Sequence, residues 1–242
     1  MKLKSKKQSP HHVRQCVYAR LPITDYLEAL KLQRDIVTAR IDGKIDVNVI
    51  LILEHFPVFT LGRRGCRENL MVHEQFLKKL NIKVLHVERG GNITFHGPGQ
   101  LVIYPIIGLS TCGLKVIDYV AGLEEVMVRT AEDWGIRAVG HPKNRGVWIE
   151  EKKLGSIGIA IRRGISFHGI ALNVNLCLEP FSWINPCGLK NIKMTSMANE
   201  TRKSITMDTV KAQVTRHFED VFGFQMRPIR LIELLGSLKS AA

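Results

Sequence analysis

An α+β domain with a mixed, mostly antiparallel sheet flanked by helices is the fold class this sequence predicts, and three observations predict it. Strand-like and helix-like segments are interspersed without strict βαβ alternation. Residues 146–175 read as three short strands separated by charged or glycine-bearing turns, Glu150-Glu-Lys-Lys153 and Arg162-Arg-Gly164, which is the pattern of an antiparallel meander. No internal repeat, low-complexity tract or proline-rich linker divides the 242 residues. A single domain is therefore expected over residues 16–225, with a basic tail at 1–15 and a surface tail at 226–242.

The elements follow in order. Asp25 and Glu28 stand at capping-box spacing, and Tyr26, Leu30, Gln33 and Val37 recur at helical intervals, so residues 25–41 read as a helix ended by Asp42-Gly43. Val47–Leu53 is a β-branched run bounded by turn signals, the mark of a buried strand. Residues 81–88 and 101–107 read as two more strands, and Pro105 in the second suggests an edge or a bulge. From Val116 to Trp134, Tyr119, Val120, Leu123, Met127, Thr130 and Ala131 fall on one helical face, closed by Gly135. The meander strands are 146–149, 156–161 and 169–175. A last helix at 207–222 carries Val210, Val214, Phe218 and Val221 on one side.

Composition narrows the function. Apolar residues at 45% and charged residues at 24% are ordinary globular values and exclude a disordered or fibrous chain. A net charge of +13 predicts an acidic partner. Only 7% of residues are aromatic, and no basic stripe interleaved with aromatics appears, so nucleic acid is not the expected partner. The five cysteines, Cys16, Cys66, Cys112, Cys177 and Cys187, are odd in number and form no CxxC. They argue against a disulfide framework and match no zinc-ligand spacing, so no metal is expected. No stretch reaches the roughly 18 apolar residues of a membrane span. The basic Met1–Lys7 is followed by Gln8-Ser-Pro-His-His12 rather than an apolar core, so no secretory signal and a cytoplasmic location are expected.

Four segments concentrate glycine, histidine and charge. They are Glu54–Arg63; Arg89-Gly-Gly-Asn-Ile-Thr-Phe-His-Gly-Pro-Gly-Gln100; Lys153-Leu-Gly-Ser-Ile-Gly158 continuing to Ser166-Phe-His-Gly-Ile-Ala-Leu-Asn173; and Asn185-Pro-Cys-Gly-Leu189 followed by Met194-Thr-Ser-Met197. The glycines of the second let backbone N–H groups turn toward a ligand, although it contains neither a P-loop nor a Rossmann fingerprint. Lys153 taken alone reads as a solvated hairpin lysine. A cysteine between proline and glycine sits in a loop, where its thiol is more reachable than in a packed helix.

In this order the four motifs resemble the lipoyl(octanoyl) transferase family, over about Glu54 to Met197. The resemblance implies the catalytic-domain fold of biotin and lipoate protein ligases. It implies transfer of an octanoyl group from octanoyl-acyl carrier protein to a lysine of lipoyl domains, with no cofactor and no membrane. Cys187 is then the acyl-accepting nucleophile and Lys153 the residue that assists it. Arg89, Gly90, Gly91, Asn92, Ile93, Thr94, Phe95 and His96 become the wall of the acyl pocket. Ser156, Ile157 and Gly158, with Gly169, Ile170 and Ala171, complete the substrate site, and His55 and His168 stand behind it or face the partner. The family commonly has tyrosine at Phe95, so that hydroxyl is absent here.

The chemistry implied is thioester exchange, which needs no ATP. A free thiol is only about 3% thiolate at pH 7, and Lys153 could raise that fraction as a neighbouring ammonium or as a desolvated base. Backbone N–H groups of Gly155, Ser156 or Gly188 are candidate oxyanion donors. An ATP-dependent lipoate, octanoate or biotin ligase of the same fold is the alternative; it would need no cysteine.

Overall fold

Asp25 caps the first helix, α1 (Tyr26–Ile41), its carboxylate accepting the Leu27 N–H at 2.8 Å. A strand, β1 (Arg14–Thr24), precedes it. After it come β2 (Asn48–His55), β3 (Val58–Leu61), the short α2 (Glu74–Lys79), β4 (Lys83–His86), β5 (Ile93–His96) and β6 (Gln100–Ile106). The chain continues through α3 (Val116–Glu132), β7 (Val139–Gly140), β8 (Gly146–Ile149), β9 (Lys152–Arg162), β10 (Ile165–Asn173), β11 (Lys193–Met194) and α4 (Met197–Thr201). It closes with α5 (Met207–Phe222), β12 (Phe224–Pro228) and α6 (Leu231–Lys239). The computed structural model describes residues 14–142, 144–186 and 192–239. Cys187, Gly188 and the first thirteen residues of the expected basic tail lie outside the described residues.

The main sheet has the order β12-β1-β2-β6-β10-β9-β8-β7, with β11 also beside β9. β1 runs parallel to β12 and β2, and β11 parallel to β9; the other pairs are antiparallel. A second, small sheet has the order β4-β3-β5. The predicted fold class is the one observed, and β8, β9 and β10 are the predicted meander. Leu123 and Met127 of α3 and Val214 and Phe218 of α5 pack against Ile103, Ile170 and Leu172 on one face of the main sheet. Ile36 and Val37 of α1, with Leu234 of α6, pack against Leu51, Val102 and Ala171 on the other. A third cluster, with Phe59, Phe95 and Phe181, lies against the small sheet. No helix among the described residues is long and apolar enough to cross a membrane.

Three features differ from expectation. β6 is no edge strand: it lies between β2 and β10, and Pro105 pairs with Ile50 on the β2 side. Toward β10 the ladder is open from Ile103/Ile170 to Gly108/Ile165, and the missing proline N–H falls in that gap. There the Ser166 hydroxyl bridges Pro105 O at 2.9 Å and the Ile107 N–H at 3.1 Å. The tail boundaries also move. Arg14 and Gln15 already pair with Phe224 and Gln225, so the sheet begins before residue 16. The 225/226 boundary cuts β12, where Phe224 and Met226 are buried, because β1 would otherwise be an unpaired parallel edge. Phe224→Ala should therefore cost about 3 kcal/mol of stability, read as a lower urea midpoint. An unchanged midpoint would return this segment to the status of a tail.

Candidate active site

β9, the strand that bears Lys153, has neighbours on both sides. Its first residues pair with β8 and β11, and from Gly155 onward it pairs with β10. Lys153 is almost wholly buried. Its Nζ donates to Arg145 O at 3.2 Å and stands 5.1 Å from the Trp148 ring centroid. Gly146 makes room for it: at φ +131° a Cβ there would run into Gly155 O and come within 2.9 Å of Lys153 Cε. Glu124 of α3 holds this corner, accepting the Gly146 N–H and an Arg145 guanidinium N–H, each at 2.8 Å.

A cavity of about 490 Å³ opens beside Lys153. Its floor is Ser156–Ile159 of β9 and His168–Ala171 of β10, where Gly158 pairs with Gly169. A Cβ on Gly169 would strike Ile103 O and stand 2.6 Å from Pro105 Cδ, so only glycine lets β10 pass β6 here. The opposite wall is the loop from Arg89 to Asn92. The Arg89 guanidinium is buried and gives its donors to the protein: Nε and Nη2 to Thr60 Oγ1 at 3.1 and 2.8 Å, and Nη2 to Thr60 O at 2.6 Å and Asn92 O at 2.8 Å. Nη1 donates to Gly90 O at 2.9 Å. Backbone bonds Gly62 N–H to Asn92 O, Arg63 N–H to Arg89 O and Gly90 N–H to Ile159 O tie the same loop to β3 and β9.

Buried polar side chains then run from the cavity toward β11. His96 Nδ1 donates to Gln100 Oε1 at 2.7 Å, Gln100 Nε2 donates to Asn173 Oδ1 at 2.9 Å, and Asn173 Nδ2 donates to Thr195 O at 2.9 Å. Thr195 N–H in turn bonds Lys153 O at 2.9 Å. On the α1 side, His55 Nδ1 donates to Thr24 O at 2.8 Å, which leaves Nε2 to accept the Tyr104 hydroxyl at 2.7 Å. Burial pulls the His55 imidazole down to about 4. It also lowers His96, where His55 and Arg89 act in the same direction, and it lowers His168 against the pull of Glu88. Burial pushes the Tyr26 phenol up to about 12. These rings are neutral at neutral pH.

The structure brings together most of the residues expected at the site. Lys153, Arg89, Gly90, Gly91, Asn92, Ile93, Thr94, His96, Ser156, Ile157, Gly158, Gly169, Ile170, Ala171 and His168 all line the one cavity. Phe95 does not: strand alternation turns it into the third core, 5.1 Å from the Phe59 ring and 5.9 Å from Phe181. His55 and His168 are buried, so neither faces a partner; His168 lines the cavity and His55 stands behind Tyr104. Gly155 and Ser156 have strand partners on both sides, which commits their N–H groups to the sheet. Sequence reasoning missed Tyr26, Tyr104, Val102, Val120, Ile159, Arg64, Asn144 and Arg145, which also line the cavity. Tyr104 left a trace, as a lone hydroxyl in an otherwise aliphatic strand.

Comparison with known proteins gives one consistent picture. Residues 25–219 match the lipoyl protein ligase A/B catalytic domain. The chain is 46% identical over 205 residues to an octanoyltransferase of Desulfotalea psychrophila, covering 84% of this chain and 92% of that one. It is 41% identical over 217 residues to an octanoyltransferase of Caldicellulosiruptor bescii, covering 89% and 95%. Among solved structures, lipoate-protein ligase A bound with ATP superposes with a TM-score of 0.72 at 16% identity, covering 94% and 93%. The Aquifex aeolicus biotin protein ligase in complex with biotin and ATP gives 0.52 at 14%, covering 87% and 71%; likeness at these identities speaks for the fold.

The buried histidines set a pH dependence of stability. Their folded pKa values lie below the unfolded value of 6.5, so as pH falls the unfolded chain takes up protons first and the fold loses stability. Between about pH 6.5 and 4, His55 alone should remove on the order of 3 kcal/mol, with His96 and His168 adding in the same direction. Urea unfolding at pH 7.5 and 4.5 measures the loss; equal midpoints would contradict it.

Proposed function

The chain belongs to the lipoyl protein ligase A/B catalytic-domain family, and we propose that it is the octanoyltransferase of lipoate biosynthesis that moves an octanoyl group from acyl carrier protein, through a thioester on Cys187, to a lysine of a lipoyl domain. One observation carries this reading. The buried Lys153 lines a cavity that also presents Val102, Val120, Ile157 and Ile170, and the described segments on either side of Cys187 are tied to residues that line it. Asn185 N–H bonds Asn69 O at 2.8 Å, and Asn69 Nδ2 bonds Asn92 Oδ1 at 3.2 Å, at the loop wall. On the far side, Lys193 and Met194 pair with Lys152 and Lys153.

Thioester exchange is close to isoenergetic, so the donor's own bond supplies the driving force and no nucleotide is spent. In the first half-reaction the Cys187 thiolate, favoured by Lys153 as a neighbouring cation, attacks the carrier thioester; the carrier sulfur leaves as a thiol with a proton given up by Lys153, which becomes a neutral amine. In the second, the acceptor lysine attacks the Cys187 thioester as a neutral amine, Cys187 leaves as the thiolate, and the neutral Lys153 takes the amine's proton, which restores the starting ion pair. The acyl chain lies against Val120, Ile157 and Ile170, where each buried methylene contributes about 0.8 kcal/mol. Carrier proteins and lipoyl domains are acidic, and the net charge of +13, with exposed Arg64 and Arg145 among the cavity-lining residues, suits both.

The test is intact-mass measurement after mixing the protein with octanoyl-carrier protein, without ATP. One octanoyl group should appear on the wild-type chain and none on Cys187→Ser, and addition of an apo lipoyl domain should discharge it. Lys153→Met should slow transfer at least a hundredfold while melting like wild type. Transfer that requires ATP and free octanoate would instead make the protein a ligase.

A further inference from the structure

On that acyl-transfer reading, we propose that Arg64 holds the phosphodiester of the arm on which the carrier protein presents its acyl thioester. The cavity is lined by four cations, Arg64, Arg89, Arg145 and Lys153, and by no carboxylate among the described residues. An octanoyl chain and its thioester are neutral and do not call for that excess. Three of the cations are engaged within the protein. Arg89 directs its donors to Thr60, Gly90 O and Asn92 O, Arg145 pairs with Glu124 at 2.8 Å, and Lys153 bonds Arg145 O. The Arg64 side chain is exposed and has neither an ion pair nor a hydrogen bond among the described residues.

Arg64 is also placed by a built turn. Gly65 N–H bonds Gly62 O at 2.7 Å, which makes Arg63 and Arg64 the two central residues of a tight turn. Three more backbone bonds hold the turn on the cavity wall: Gly62 N–H to Asn92 O at 3.0 Å, Arg63 N–H to Arg89 O at 2.9 Å and Arg64 N–H to Gly91 O at 3.1 Å. A Cβ on Gly62 would stand 2.6 Å from Gly91 O and 2.8 Å from Arg89 O, so only glycine allows this approach. Of the two arginines, Arg64 lines the cavity and Arg63 does not. The segment that follows reaches the Cys187 side. Cys66 N–H and Asn69 Nδ2 both bond Asn92 Oδ1, at 3.4 and 3.2 Å, and Asn69 O accepts the N–H of Asn185, just before Cys187.

A carrier-borne donor has one anion near its thioester. The thiol arm is a chain of two amides ending in a phosphodiester, about 16 Å from the sulfur when extended. A guanidinium presents paired N–H donors that match two phosphate oxygens, and low-dielectric cavity walls concentrate its field on the entering arm.

The experiment follows acylation of Cys187 by intact mass over time, using the full chain without acceptor. The donors are octanoyl-4′-phosphopantetheine, octanoyl-pantetheine and octanoyl-carrier protein, each below saturation. Wild type should react about tenfold faster with the phosphorylated small donor than with the dephosphorylated one. Arg64→Gln should bring that ratio close to one and slow acylation by the carrier protein about tenfold. Arg64→Lys, which keeps the charge and loses the paired donors, should fall between. Both variants should melt like wild type, because the fold uses only the Arg64 backbone. A merely structural role would slow both small donors together, and an unchanged ratio in the variants overturns the proposal. Equal rates with the two small donors in wild type, or acylation by the carrier protein and by neither small donor, overturns it as well. A loss confined to the carrier protein, with the small-donor ratio intact, would assign Arg64 to the carrier's protein surface instead and so reject the phosphodiester. No acylation of wild type by any donor strikes the acyl-transfer reading itself.

Discussion

A guanidinium taken out of water must be met by acceptors from several directions at once, and at Arg89 those acceptors are Thr60 and the carbonyls of Gly90 and Asn92. Because a buried charge left partly unmet is so costly, this arrangement is close to all-or-none. It clamps the glycine loop onto β3 and turns what would be a hairpin connection into the wall of a cavity. Thr60 is shared: its hydroxyl also faces His96 Nε2 at 3.4 Å, which starts the polar series through Gln100 and Asn173 to the strand beside Lys153. One buried cation thus links the small sheet, the loop wall and the lysine corner.

The second requirement is rigidity under the reacting groups. β9 supplies both Lys153 and the cavity floor, and it is paired on both sides along much of its length. Glu124 fixes Arg145 and Gly146 from the helix behind, so the carbonyl that receives the lysine ammonium cannot drift. Groups placed on paired strands hold their geometry better than groups on loops. The same two strands also give the cavity apolar lining residues, Ile157 and Ile159 of β9 and Ile170 of β10.

Much of the architecture was legible because it rests on local rules. The periodicity of 25–41, 116–134 and 207–222 needs only an apolar face, and the meander needs only short alternating strands with turns between them. β1 escaped notice because Arg14–Thr24 mixes basic and apolar residues and contains Pro22; its stability comes from β2 and β12 on either side, which no local window records. The C-terminal segment was hidden for the same reason. Phe95 was misplaced because a motif assigns a whole run to one wall, whereas a strand sends alternate side chains to opposite faces.

Order along the chain determined the chemistry of this protein: which residues carry a thiol, an amine and close-approach glycines, and that four such segments occur in the sequence of an acyl-transfer family. Each is a local fact about side-chain type and spacing, and it survives without coordinates. Tertiary structure alone decided which of those residues share a cavity and which merely support it. Tyr26, Tyr104 and Val120 come from an N-terminal helix, a central strand and a distant helix, and they meet only when both faces of the sheet are covered. The physical reason is that burial and hydrogen-bond closure are properties of the packed whole: a histidine reads the same in sequence whether it ends in water or, like His168, buried in the wall of a cavity.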